Sequence, residues 1–187
     1  RQYFTLGEVS GSALRQALRS IGADDGETEH LVDRCRLGVL EAGVAAHDLA
    51  EVSAWLSRVT AEPVRDGWQV QANRLIADCF TDRVLAGDHE LADLLITALP
   101  ATTPLELPVS AEWDVGRFFL ARGLYALNHE GDAVGALGWL AAAHEQLQAR
   151  VAEGDERARE LLPTLLVAQL YAQASAAPAA ALLNPLT

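Results

Sequence analysis

The chain has 187 residues, half of them apolar and 21% charged, a balance that supports a folded core and excludes a disordered segment. Its formal net charge is -12, so phosphate backbones and anionic membranes meet a repulsive summed field, which argues against direct nucleic-acid or membrane binding. Ala and Leu dominate, long Val/Ile/Thr alternations are missing, and no stretch of eighteen uncharged apolar residues exists, so composition points to soluble helices.

In chain order, Ser10-Gly11-Ser12 caps a short first helix running to about Ser20, stopped by Gly22. Asp24 and Glu27 have capping-box spacing, and Asp24, Asp25, Glu27 and Glu29 crowd the start of the next helix, where carboxylates suit the helix dipole. That helix runs from about Thr28 to Ala45, with Leu31, Cys35, Val39 and Ala42 as its apolar face. After His47-Asp48 a third helix carries Leu49, Val52, Leu56 and Val59 and ends before Pro63. A longer one spans about Asp66 to Ala86, with Trp68, Leu75, Cys79 and Phe80 inward, and its partner spans about His89 to Leu99. Pro100, Pro104 and Pro108 mark a non-helical connector, expected as a sub-bundle junction at 100–110 within a single domain covering 1–187. Ser110 is expected to cap a helix with Trp113, Phe118, Phe119, Leu120, Leu124 and Leu127, broken near Gly131. An Ala-rich helix from Asp132 to about Ala152 follows, then a last helix from Glu156 to about Ser175, kinked or started late by Pro163, with a frayed or cap-like tail at Pro178 and Pro185.

One turn signature recurs. His47-Asp48, Gly87-Asp88 and Gly131-Asp132 are spaced by 40 and 44 residues, and each is followed by Val52, Ala92 or Ala136 and then by Leu56, Ile96 or Leu140. Such a period is the mark of stacked supersecondary units. The segments Thr28–Thr60, Asp66–Leu99 and Ser110–Ala152 resemble tetratricopeptide repeats, most clearly in Gly87-Asp88, Ala92, Ile96, Leu99 and Pro104 and in Gly131-Asp132, Ala136, Leu140 and Ala143. Gly at the turn and Ala at a close helix crossing have the same physical use there. The second unit lacks the family's Trp, Leu-Gly and Tyr in its first helix, and the spacing is longer than usual. It is similar to the divergent arrays attached to bacterial signalling ATPases and maltose-regulator-type activators. The resemblance implies an all-α fold of about eight helices, antiparallel hairpins stacked as a right-handed solenoid.

The chemistry-bearing residues are sparse. Four of the five His adjoin a Glu (Glu29-His30, His89-Glu90, His129-Glu130 and His144-Glu145), but neighbours on a helix point about 100° apart and share no ligand, and no metal site is expected. No phosphate loop, nucleophile elbow or cofactor motif occurs, so neither catalysis nor a cofactor is expected. Gly116, Gly123, Gly135 and Gly138 sit inside helices and are expected at close helix contacts. All 14 cations are Arg, which fits a GC-rich coding bias better than selection for anion-binding forks. Without any Met, the chain is expected to be a processed product or an excised part of a larger protein. Cys35 and Cys79 are expected as buried free thiols in a reducing cytoplasm.

By the resemblance, counting back from each turn places Arg34, Leu37 and Glu41, then Arg74, Ala77 and Thr81, then Phe118, Ala121, Tyr125, Asn128 and His129 on a concave face. Arg34, Arg74, Phe118, Tyr125 and Asn128 are the expected partner-binding residues, suited to an extended peptide or an acidic segment. The reading is therefore a non-enzymatic protein- or peptide-binding module, expected in a larger bacterial regulatory protein. The alternative is a small-molecule sensor whose pocket is lined by Trp113, Phe118, Phe119, Tyr125 and Trp139. An open groove favours the first, and an enclosed aromatic cavity the second.

Overall fold

Capping chemistry decides where these helices start and stop. The computed structural model describes residues 11–61, 68–99 and 114–183, with side chains over 13–57, 71–99 and 114–177. Among the described residues there are eight α-helices and no strand: α1 (Gly11–Ser20), α2 (Asp25–Ala45), α3 (Leu49–Ala61), α4 (Trp68–Leu85), α5 (His89–Ala98), α6 (Val115–Tyr125), α7 (Ala133–Ala152) and α8 (Glu156–Leu183). α6 runs on into a π-helical turn, Ala126–Glu130. None of the described helices is long and apolar enough to cross a membrane. The chain divides into two compact units, Arg1–Cys79 with Asp93–Ala98, and Phe80–Ala92 with Leu99–Thr187, so α4 and α5 contribute to both. The expected junction at 100–110 lies outside the described residues.

The recurring dipeptide has a concrete geometry. Gly22, His47, Gly87 and Gly154 adopt φ of 88°, 55°, 77° and 92°, the left-handed region in which a helix closes on itself. In each case the two hydrogen bonds of a Schellman motif form. Around His47 they run from the His47 amide to the Val44 carbonyl (3.2 Å) and from the Asp48 amide to the Gly43 carbonyl (2.9 Å). Gly87-Asp88 and Gly154-Asp155 repeat the pattern. The Asp then caps the next helix, Asp48 Oδ1 accepting from the Glu51 amide at 3.0 Å and Asp155 Oδ1 from the Arg157 amide at 2.9 Å. The signature is thus a minimal helix–turn–helix joint, one residue ending a helix and the next beginning another. Gly154-Asp155, only 23 residues after Gly131, is a further copy that breaks the 40-residue period. The signature marks helix joints, and these joints are unequally spaced along the chain.

In the first unit α1 packs on α2 and α2 on α3. Arg15 grips Glu29 through Nε and Nη2 at 2.5 and 2.9 Å, tying α1 to α2. The buried residues of α2 are Thr28, Val32, Leu40, Gly43 and Val44, whereas Leu31, Cys35 and Ala42 are exposed and Val39 is half-buried. The expected apolar face was therefore one position out of register. Apolar side chains are spread around α2, so periodicity alone left its orientation open. The α3 contact decides it: a Cβ on Gly43 would sit 3.2 Å from Val52 Cγ2, and Trp55 Nε1 donates to the Arg36 carbonyl at 2.6 Å. Cys79 is buried as expected, but Cys35 is not, and neither is in a disulfide.

In the second unit α7 packs against both α6 and α8, while α6 and α8 touch only slightly. α7 buries Ala136, Leu140, Ala143 and Leu147, one stripe at helical spacing. Gly116 and Gly123 let α6 approach it closely. A Cβ on Gly123 would lie 2.7 Å from Leu140 Cγ, and one on Gly116 3.2 Å from Leu147 Cγ. Gly138, by contrast, has nothing within 4 Å. Asp114 caps α6, its carboxylate accepting from the Arg117 amide at 3.3 Å, and Ser110, the expected cap, lies outside the described residues. α8 starts at Glu156 and runs through both Pro163 and Pro178, so Pro163 does not delay the helix and Pro178 does not end it.

Candidate functional site

The second unit carries a groove of about 430 Å³ between the end of α6 and the middle of α8. One wall is Leu124, Leu127 and Asn128; the other is Pro163, Thr164, Val167, Ala168 and Tyr171. Every lining side chain is uncharged. The π turn shapes the first wall. Both the Gly131 and the Asp132 amides donate to the Ala126 carbonyl, so the last turn of α6 is wider than an α turn and accommodates one more residue. Tyr125, Ala126 and Leu127 stay buried, and Asn128, His129 and Glu130 emerge on the surface.

The second wall is set by how α8 meets α7. Ala158, Leu165, Ala168 and Ala172 are buried and define the inner stripe of α8. Gln169 fixes its rotation, donating through Nε2 to the Leu140 carbonyl at 3.1 Å while its Oε1 lies 3.3 Å from His144 Nδ1. With that stripe inward, Leu166, Val167, Leu170 and Tyr171 are 48%, 68%, 67% and 59% exposed. Large apolar side chains left out in this number on one helix are the informative exception to ordinary surface composition.

The residues expected to bind a partner separate into two groups. Arg34 is exposed on α2 and Arg74 half-buried on α4, both in the first unit. Phe118, Tyr125 and Asn128 belong to the second unit, and of these Asn128 alone lines the groove. Phe118 and Tyr125 are 4% and 5% exposed and pack on Phe80 edge-on, with centroids 6.0 and 5.4 Å away. Phe119 and Trp139 complete the cluster at 5.7 Å. Phe80, Phe118, Phe119 and Tyr125 are buried core, and Trp139 packs half-buried at their edge. Trp113 lies outside the described residues. Counting back from the turn could not separate core from surface on α6, because that helix is buried nearly all round.

The electrostatics lie beside the groove. Arg122 stands over the Tyr125 and Trp139 rings, 5.5 and 5.7 Å from their centroids, and pairs with Glu130 at 3.0 Å. His89 and His129 stack at 5.5 Å with planes 13° apart, bringing together two of the His-Glu pairs of the sequence. Among the described residues no group of three or more His, Cys, Asp or Glu converges on a common point. Away from the groove, Arg150 bridges two helix caps, reaching Asp114 at 2.6 Å and Asp155 at 2.5 Å. Asp155 is held below the ordinary carboxylate range, chiefly by the hydrogen bond from the Ala158 amide and then by the Arg150 charge, against a partial opposing effect of burial.

The exposed α8 residues were not anticipated from sequence. A signal was present: no charged residue occurs from Leu161 to Leu183, yet the helix follows a strongly charged start, Glu156, Arg157, Arg159 and Glu160. No family model, curated protein or solved structure matches the chain.

Proposed function

We propose that this chain is a non-enzymatic protein-binding helical module, and that the groove between the π turn and α8 receives an apolar segment of its partner. The open, uncharged groove, flanked by Val167 and Tyr171, carries the reading. A hydrophobic groove between helices suits an amphipathic helix or an extended segment with spaced apolar anchors, and Asn128 at its edge offers a backbone-type donor and acceptor. The aromatic cluster that a small-molecule sensor would need is closed by ring-to-ring packing, which favours the groove over a pocket. In this reading the module is a tetratricopeptide-like array in the cytoplasm, part of a larger bacterial regulatory protein. Arg34 and Arg74 would offer guanidinium forks to acidic groups on the first unit.

The test is capture from a bacterial lysate with identification by mass spectrometry, using paired variants. Val167→Glu places a charge in the groove, and Val134→Glu places one at a site on α7 that is 64% exposed and outside it. Loss of a partner with Val167→Glu and retention with Val134→Glu is the expected result. Equal capture by both variants would overturn the assignment of the groove.

A further inference from the structure

We infer that His89 and His129 form a two-histidine site for a late first-row divalent cation (zinc, nickel or copper(II)), which clamps the start of α5 to the π turn. The two rings lie 5.5 Å apart centre to centre, with planes 13° apart, and both side chains are exposed. Adjacent residues on one helix cannot share an ion, but here each His comes from a different element of the same compact unit. An imidazole nitrogen sits about 2.0–2.1 Å from such an ion, which places two ring centres on one tetrahedral ion about 5 Å apart. The observed separation therefore matches a shared ion to within roughly half an ångström. One nitrogen from each ring converges on the ion through rotation about the Cβ–Cγ bonds, a soft torsion in an exposed His. The second nitrogen of each ring keeps its capacity for a hydrogen bond, as metal-bound imidazoles normally do.

Local chemistry fixes the backbone under both rings. His89 follows the Gly87-Asp88 joint, where the Gly87 amide donates to the Val84 carbonyl at 3.0 Å and Asp88 Oδ1 accepts from the Leu91 amide at 3.3 Å. His129 sits inside the π turn, closed by the Asp132 amide donating to the Ala126 carbonyl at 2.9 Å. Its ring also lies 5.0 Å from that of Tyr125, which packs on the buried Phe80, so the core backs it. Ligands carried on a fixed backbone lose little freedom when an ion binds.

The donor set selects the ion. Imidazole suits zinc, nickel and copper(II), whereas magnesium and calcium take oxygen ligands. Asp88, Glu90, Glu130 and Asp132 flank the pair in sequence, and their charge draws cations in, as does the net charge of -12. They act through charge and not as ligands. Asp88 pairs with Arg83 at 3.7 Å, Glu130 pairs with Arg122 at 3.0 Å, and Asp132 caps α7. No third His, Cys, Asp or Glu among the described residues joins the pair around one point. Water completes the coordination, so the site is open and binds less tightly than a four-ligand structural site, with copper(II) held best. An ion there ties α5 to the turn that carries Asn128, and so steadies the first wall of the groove. Neither His lines the groove, so the site stands independently of the protein-binding reading.

Calorimetric titration of the metal-free chain with zinc, and electron paramagnetic resonance with copper(II), test the site. The wild type is expected to bind zinc, and His89→Gln and His129→Gln each to lose at least about tenfold in affinity, while magnesium gives no binding. His30→Gln, at an exposed His of the first unit, and Cys35→Ser, at the exposed thiol, should leave the affinity unchanged. Bound copper(II) should show two nitrogen donors in the wild type and one in either site variant. All four positions are exposed, so the metal-free helical spectrum should be the same in every variant. A wild type that binds no zinc, or zinc affinity that survives both site substitutions, would overturn the site. Zinc should also slow hydrogen exchange at the Gly131 and Asp132 amides; unchanged exchange in the zinc-bound chain would overturn the clamp.

Discussion

Replacing Gly123 by Ala should destabilise the protein, although the same exchange in most helices is favourable. Ala is preferred to Gly within a helix by roughly 1 kcal/mol, because Gly has more backbone freedom to lose. At Gly123 a new Cβ would stand 2.7 Å from both Cγ and Cδ2 of Leu140 and 3.4 Å from its backbone nitrogen. Leu140 is fully buried and cannot swing into solvent, so α6 and α7 must separate or Leu140 must leave its rotamer. Overpacking of this kind costs typically 1–3 kcal/mol, which exceeds the propensity gain over most of its range. The net expectation is a loss of up to about 2 kcal/mol, or a fall in Tm of a few degrees for a chain of this size. Gly138→Ala is the internal control. It lies in α7 with nothing within 4 Å of the new methyl and should gain up to about 1 kcal/mol. Urea unfolding of the two variants, followed by circular dichroism, measures both. If Gly123→Ala gained stability as Gly138→Ala does, the close crossing of α6 and α7 would be wrong, and the placement of α8 behind it would lose its support.

His47→Gly should raise stability by up to about 1 kcal/mol in thermal unfolding, because His47 occupies φ 55° where glycine is unstrained; Gly87→Ala, at φ 77°, should cost about as much. Asp155 is held below the ordinary carboxylate range, so its contribution is complete above that range and is lost as pH falls through its lowered folded value. Asp155→Asn should accordingly be less stable than wild type near neutral pH, with the gap narrowing in strong acid, as read from Tm between pH 7 and pH 2. Arg150→Gln should reproduce part of that loss, since it removes the one charge that bridges the Asp114 and Asp155 caps at 2.6 and 2.5 Å.

By itself the sequence determined the helices and their joints. Helix ends depend on local chemistry, a carboxylate reaching an amide three residues on and a residue able to turn left-handed, so the Asp24 cap and the turns at His47-Asp48, Gly87-Asp88 and Gly131-Asp132 could be read directly, whereas α8 runs to Leu183 and not to about Ser175. His47-Asp48 was legible for the same reason, as a joint made with a residue other than glycine. The period between joints was less informative, because any two helices can share such a corner, and Gly154-Asp155 shows one at a short step. The faces were decided by tertiary packing. α2 and α6 carry apolar residues around much of their circumference, so no count along the chain could say that Val32 and Leu40 point inward while Leu31 does not, or that Phe118 and Tyr125 belong to the core. The groove is a tertiary feature in the same sense. Asn128 reaches it through a π turn that no periodicity announces, and Val167 and Tyr171 are left outside because Leu165, Ala168 and Ala172 had already claimed the contact with the rest of the unit. A helix has one rotation about its axis, and the best-packed stripe takes it.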